Sequence, residues 1–216
     1  PAIPVAVVHP VDDVSLTGAV AAAHQGLIIP LLVGPAAKIR AAADAARLDI
    51  SEFELIDVPH SHAAAERAVA LVREGRAEAL MKGALHTDEL MHEVLKRDSG
   101  LRTERCISHV MAFDVPTYPR PLFITDAAIN ISPSLDQKRD IICNAIELAH
   151  ALGNQDPRVA ILSAVETVNP RIPSTLDAAA LCKMADRGQI CGGTLDGPLA
   201  FDNAISESAA RTKGID

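Results

Sequence analysis

The chain has 216 residues, 49% of them hydrophobic, enough for one large α/β domain or two small ones with a real core. Four Phe, one Tyr and no Trp leave it without the aromatic platforms on which single-stranded nucleic acid stacks. A net charge of −8, with no basic run longer than a pair such as Lys138-Arg139, argues against a nucleic-acid partner or an anionic membrane surface, but not against a small anion held by backbone amides and a few local cations.

Taken in chain order, apolar runs alternate with helical patterns. "VAVVHP" (5–10) is a continuous apolar run, as a parallel strand buried on both faces requires. "DDVSLTGAVAAAHQG" (12–26) starts acidic and stops at glycine, which predicts a helix. "LIIPLLVG" (27–34), a helix from Lys38 to Arg47, and "FELIDVP" (53–59) follow. "SHAAAERAVALVREG" (61–75) is amphipathic at helical spacing; "EALMKGA" (78–84) is the next strand, and Thr87 can cap a helix running to about Arg97. This alternation predicts a parallel sheet covered on both faces.

The pattern then changes. Two β-rich segments, 106–114 and 121–128, flank the prolyl stretch "VPTYPRP", which helices and central strands both exclude. The expected division is therefore a first α/β domain over 1–120 and a second over 121–216. In the second, "SLDQKRDIICNAIELAHALG" (134–153) and "PSTLDAAALCKMADRG" (173–188) predict helices, "RVAILSAVE" (158–166) a buried strand, and "ICGGTLDGPLAFDNA" (190–204) a loop-rich segment with β-like residues. The chain stops after "ARTKGI" with no apolar strand or cap, so part of the fold is expected to lie outside it.

The four cysteines, Cys106, Cys143, Cys182 and Cys191, show no CxxC spacing and no paired His, which indicates neither a zinc site nor a disulfide framework. No apolar stretch reaches membrane-spanning length and no basic segment precedes an apolar one, so the sequence reads as cytosolic.

Ligands of open parallel sheets bind beyond the carboxyl ends of the strands. That rule singles out His9, Asp12, Lys82, His86, Thr87, Asp126, Asn130, Ser163, Glu166, Thr167 and Asn169, with Asp196 and Asp202 from the loop-rich segment. Asp12, Thr87 and Ser134 can simply cap helices, and for Asp12 and Ser134 that reading comes first. Lys82 within "LMKGA" needs a partner or an exit to solvent, and His86 can bond the helix start; for both, structural and functional readings stand level. His109, alternating with apolar neighbours, fits a satisfied core histidine. Asp126 and Asn130 in "FITDAAINISP" (123–133) lie among small residues that leave room for a ligand. There is no GxxxxGK[ST], no GxGxxG after a strand and no GxSxG. "GGTLDGP" offers backbone amides that could cradle a phosphate.

The segments "LMKGALHTDELM" (80–91), "FITDAAINISP" (123–133), "ILSAVETVNPRIPSTLDAAALCKMADRGQI" (161–190) and "LDGPLAFDNAIS" (195–206) closely resemble the phosphate acetyl/butyryltransferase family, nearest its butyryl-type and hydratase-fused members. The resemblance implies reversible transfer of an acetyl, propionyl or butyryl group between CoA and inorganic phosphate. It also implies two α/β domains with a cleft between them, like isocitrate and isopropylmalate dehydrogenases. Family members continue past "TKGID" into a "SPVAG"-like segment, a "GN" segment and a Ser-Arg motif followed by an acidic residue. There the Arg would bind the phosphoryl group and the Asp would act as base on the CoA thiol.

The expected catalytic residues are Lys82, His86, Asp126 and Asn130. Thr87, Ser163, Glu166, Asn169, Asp196, Gly197 and Asp202 are the expected substrate-binding set, with no metal site. CoA is expected as substrate and no cofactor as tightly bound. The expected partners are acyl-CoA or CoA, phosphate or acyl phosphate, and a second copy of the chain in a homodimer or higher homo-oligomer; fusion to a hydratase domain is a further arrangement. Two rival readings stand beside the acyltransferase: a metal- and NAD-dependent decarboxylating dehydrogenase, for which the sequence holds no arginine cluster, and a CoA-binding module of a fusion protein without activity of its own.

Overall fold

The computed structural model describes residues 1–215, which divide into two compact units, Pro1–Thr103 and the chain from Glu104 onward. Unit 1 carries β1 (Ile3–Val8), α1 (Asp13–His24), β2 (Ile28–Gly34), α2 (Ala36–Ala46), β3 (Glu54–Asp57), α3 (Ser61–Arg73), β4 (Ala79–Lys82) and α4 (Thr87–Val94). Its four strands are all parallel, in the order β3-β2-β1-β4.

The uninterrupted apolar runs follow from burial on both faces of this sheet. Ala6, Val8, Leu31 and Val33 pack against Ala64, Ala65, Ala68 and Leu71 of α3 and Leu90 of α4. The intervening Val7 and Leu32 pack on the other face against Leu16 and Ala19 of α1 and Ile39, Ala42 and Ala43 of α2. Successive strand side chains point to opposite faces, so neither face can be polar. Pro30 is tolerated inside β2 because the ladder to β3 begins only at Leu31.

Unit 2 carries β5 (Val110–Phe113), β6 (Leu122–Thr125), α5 (Leu135–Ala151), β7 (Arg158–Leu162), α6 (Pro173–Asp186), β8 (Thr194–Leu199), α7 (Phe201–Ile205) and α8 (Glu207–Thr212). β5 and β6 form an antiparallel pair; β7 and β8 form a parallel pair with an irregularity between Ala160 and Leu162. The prolyl stretch falls inside this unit, between β5 and β6. Ile142 and Ile146 of α5 meet Leu181 of α6 and Ile190, backed by Val159, Ile161 and Leu195 of the β7–β8 pair. A capping box starts α5: Ser134 accepts from the Gln137 amide and Gln137 from the Ser134 amide.

Candidate functional site

Polar side chains gather at the carboxyl end of the unit 1 sheet, around the turn that leaves β4. Gly83 N donates to Val8 O and Ala84 N to His9 O, both at 2.9 Å, which staples this turn to the end of β1. Only glycine fits at position 83: a Cβ there would lie 2.5 Å from Val8 O and 2.8 Å from His9 O. The "KGAL" of the sequence is thus a backbone requirement before it is a chemical one.

The staple places side chains around a concavity of 540 Å³ lined by His9, Asp12, Ser61, Lys82, the 83–85 turn, His86 and Glu89. Lys82 Nζ donates to Leu85 O at 2.8 Å and Gly83 O at 3.2 Å. Two of the ammonium hydrogens are thereby fixed and the third is left for a ligand. His86, expected at the helix start, is the N-cap of α4 and makes no side-chain cap bond, while Thr87 is the first helical residue rather than the cap. The first amides of α4 are therefore not claimed by the capping side chain, an arrangement suited to anions.

Of the two carboxylates of the concavity, Asp12 is bonded, while Glu89 Oε2 is enclosed without a hydrogen-bond partner among the described residues. Asp12 caps α1, accepting from Ser15 N at 2.8 Å and Ser15 Oγ at 2.5 Å. These bonds, with the nearby Lys82 ammonium, hold its carboxyl below the usual range. The Ser61 hydroxyl and His62 do the same for Glu89, whose Oε2 lies 3.5 Å from His62 Nδ1. Ser61 and Glu89 were not among the residues expected from the sequence. Both sit at helix starts, where serine and glutamate look like ordinary N-terminal residues.

In unit 2 the expected residues fall into separate local groups. Asp126 follows β6 and accepts from the amides of Ala128, Ile129 and Asn130 at 3.0, 3.0 and 3.2 Å, and from Asn130 Nδ2 at 2.6 Å. Burial raises its pKa, but these donors outweigh burial and bring it down to about 2. Asn130 Nδ2 also donates to Ile107 O. Ser163 Oγ pairs with Ser174 Oγ at 2.7 Å. Asn169 bonds within its loop, its amide donating to the buried Thr175 Oγ1 and its Oδ1 accepting from Arg171 N. Glu166 accepts from Asn203 Nδ2 and Lys213 Nζ, and Lys213 reaches Asp202 at 3.1 Å. The Lys213 bonds come first among the causes that hold Glu166 and Asp202 below the usual carboxylate range.

"GGTLDGP" is not a free cradle. Its second half is β8, paired with β7, and Asp196 Oδ1 accepts from the Gly197 amide. A Cβ at Gly197 would lie 2.7 Å from Ile161 O, and one at Gly193 2.8 Å from Pro157 O. These glycines serve close backbone packing. His109 Nδ1 is enclosed without a partner among the described residues, so the expected satisfied core histidine is not what stands there.

Burial pushes the thiols of Cys106, Cys143 and Cys182 up, away from the thiolate a covalent mechanism would need. Among the described residues no group of three His, Cys, Asp or Glu side chains gathers as a metal set, and no helix is long and apolar enough to cross a membrane.

The family model described as "Phosphate acetyl/butaryl transferase" matches residues 60–216. The chain is 66% identical to a phosphate acetyltransferase of Rhizobium meliloti over 97% of its own length and 66% of that protein's. It is 44% identical to a phosphate butyryltransferase of Clostridium acetobutylicum over 98% of its own length and 70% of that protein's. It thus spans about two thirds of the length of such relatives, and 60% in the case of a Rickettsia felis phosphate acetyltransferase. Among solved structures, a branched-chain phosphotransacylase from Enterococcus faecalis V583 superposes with a TM-score of 0.84 at 28% identity, covering 99% of this chain and 74% of that one. These neighbours correct the expected architecture. The fold is the α/β fold of phosphotransacylases, not the isocitrate/isopropylmalate dehydrogenase-like one. That expectation came with the family resemblance; strand–helix alternation itself is common to many α/β families and separates none of them.

Proposed function

This chain belongs to the phosphate acetyl/butyryl transferase family, and on that premise we propose that its protein transfers an acetyl, propionyl or butyryl group reversibly between CoA and inorganic phosphate. One observation carries the reading. The concavity at the ends of β1 and β4 presents a fixed ammonium, Lys82, beside the N-terminal turn of α4, and its Asp12 carboxylate is already bonded to Ser15. That is the donor set a phosphoryl group needs.

In this reading Lys82, His86 and Thr87 hold the phosphate oxygens. Ser163 serves as a donor to the substrate carbonyl as it gains charge, such a donor being worth about 3–4 kcal/mol, while Asn130, whose Nδ2 hydrogens go to Ile107 O and Asp126, holds the Asp126 turn beside it. Asp126 and Asp202 orient neighbouring groups, and Glu166, Asn169, Asp196 and Gly197 shape the loops around the substrate. A phosphate oxygen attacks the thioester carbonyl carbon, the C–S bond breaks, and CoA leaves as the thiolate, which takes up a proton. In reverse, the thiolate attacks acyl phosphate and phosphate leaves. The raised thiol pKa values of Cys106, Cys143 and Cys182 favour this direct transfer in a ternary complex over an acyl-cysteine. CoA is a substrate and no tightly bound cofactor takes part. We place the reaction in the cytoplasm, carried out by a homodimer or higher homo-oligomer.

The test is to mix the full-length protein with acetyl-, propionyl- or butyryl-CoA and phosphate and to follow free thiol. Phosphate-dependent thiol release that needs no NAD and survives a chelator is expected. CoA binding without any acyl phosphate formation would instead mark a non-catalytic module. Unchanged turnover in both Lys82→Ala and Ser163→Ala would sink the residue placement.

A further inference from the structure

His9 is the least ordinary residue of the concavity. It directly follows β1 in the left-handed region, with φ 57°, a conformation that a non-glycine residue adopts at some cost and that clusters at functional sites. Its side chain is buried, 8% exposed, yet lines the concavity. Its backbone is engaged on every side: N donates to Val33 O at 2.7 Å, and O accepts from Val11 N and Ala84 N, each at 2.9 Å.

The ring is held as firmly. Nδ1 lies 2.7 Å from Ala84 O. A carbonyl oxygen only accepts, so Nδ1 must carry the hydrogen, and in the neutral ring Nε2 is then a bare lone pair. The opposite ring edge faces Gly34, where a Cβ would lie 3.6 Å from His9 Cδ2. Nε2 has no hydrogen-bond partner among the described residues and is not enclosed by protein. A locked hydrogen-bond acceptor thus stands in the concavity beside the donors of the Lys82 ammonium and the N-terminal turn of α4, while the one carboxylate oxygen there without a hydrogen-bond partner among the described residues, Glu89 Oε2, is enclosed.

We propose that His9 is a specificity-determining residue: its bare Nε2 accepts the hydrogen that hydrogen phosphate retains, so the site takes hydrogen phosphate and rejects sulfate. The inference rests on the reading that this concavity holds the phosphate substrate. Sulfate offers the same oxygens to Lys82 and α4 but has no hydrogen at neutral pH. Against sulfate, acceptor faces acceptor, and the buried imidazole is left without a partner. A site built to bond a substrate hydroxyl discriminates strongly against an analogue that lacks it.

The test compares inorganic phosphate with inorganic sulfate at about pH 8, where imidazoles are in general neutral, using the full-length protein. Calorimetric titration and inhibition of phosphate-dependent thiol release give the two affinities. Wild type is expected to prefer phosphate by about 10- to 100-fold. His9→Asn keeps a donor at the Nδ1 position and tolerates the left-handed backbone, so it should melt close to wild type while the preference falls to about twofold or less. Histidine ¹⁵N spectra give a readout that needs no variant: the proton should sit on Nδ1, and the Nε2 signal should move with phosphate but not with sulfate. Equal binding of both ions by wild type, a proton on Nε2, or undiminished selectivity in His9→Asn would each overturn the proposal while the acyltransferase reading stands. Absence of phosphate binding and of thiol release in wild type would remove that reading, and this proposal with it.

Discussion

The two units answer the same rule in opposite ways. Both bring polar side chains to the carboxyl ends of strands, parallel ones in unit 1 and, for Asp126 in unit 2, one of an antiparallel pair. In unit 1 the β4 turn is held by backbone bonds, Gly83 to Val8 and Ala84 to His9, to which Lys82 Nζ and His9 Nδ1 each add bonds to carbonyls of the turn, and Lys82, His86 and His9 still keep free positions facing the concavity. In unit 2 the side chains themselves hold the loops: Asp126 gathers three amides and a carboxamide, Thr175 fastens Asn169, and Ser163 pairs with Ser174. A polar strand end is available for chemistry when main chain shares the holding, and is largely consumed when side chains do it alone.

Substitutions can break or sharpen this contrast. The largest effect belongs to Gly83→Ala, whose Cβ meets carbonyl oxygens of Val8 and His9 that cannot move without disturbing β1. A loss of about 3 kcal/mol is expected in chemical denaturation, with activity falling alongside. Lys82→Ala comes next and separates the two properties. Thiol release should drop about 100-fold, or about 2.7 kcal/mol in transition-state stabilisation, with the melting temperature nearly unchanged.

Asp126→Ala should show the reverse emphasis, losing about 1–2 kcal/mol of stability at neutral pH. Its carboxyl titrates at about 2 in the folded chain, against about 3.9 when unfolded. The carboxylate therefore contributes fully above about pH 4, and its contribution is lost as pH falls through about 2. Wild type and variant should converge there in an acid denaturation series. A gap that persists unchanged at that pH would mean the amides are not held by charge. The smallest effect is Lys213→Met, which removes exposed ion pairs to Glu166 and Asp202. Less than about 1 kcal/mol is expected, and a larger loss would show that α8 depends on this lysine.

The sequence by itself determined the elements and the family. Apolar runs at β1 and β2 marked strands buried on both faces. Asp12 and Ser134 marked helix starts, and Gly26, Gly75, Gly153 and Gly188, all at positive φ, marked the stops. These signals are local: periodicity, capping and backbone handedness act within a few residues. The strand-end rule also placed Lys82, His86 and His9 among the candidates.

Tertiary structure alone decided what those candidates are free to do. His9 and Ala84 are 75 positions apart in sequence, and only the parallel pairing of β1 with β4 brings them together and fixes which ring nitrogen carries the proton. "GGTLDGP" looked like a loop because its glycines hide a strand; they are there so that β8 can approach β7 and α5 closely. Asp126 and Asn130 looked like ligand groups because small residues surround them, and those same small residues let the turn close on its own carboxylate. Hydrogen-bond partners far apart in sequence, and the space beside a glycine, are set by packing, and packing is what a single sequence does not display.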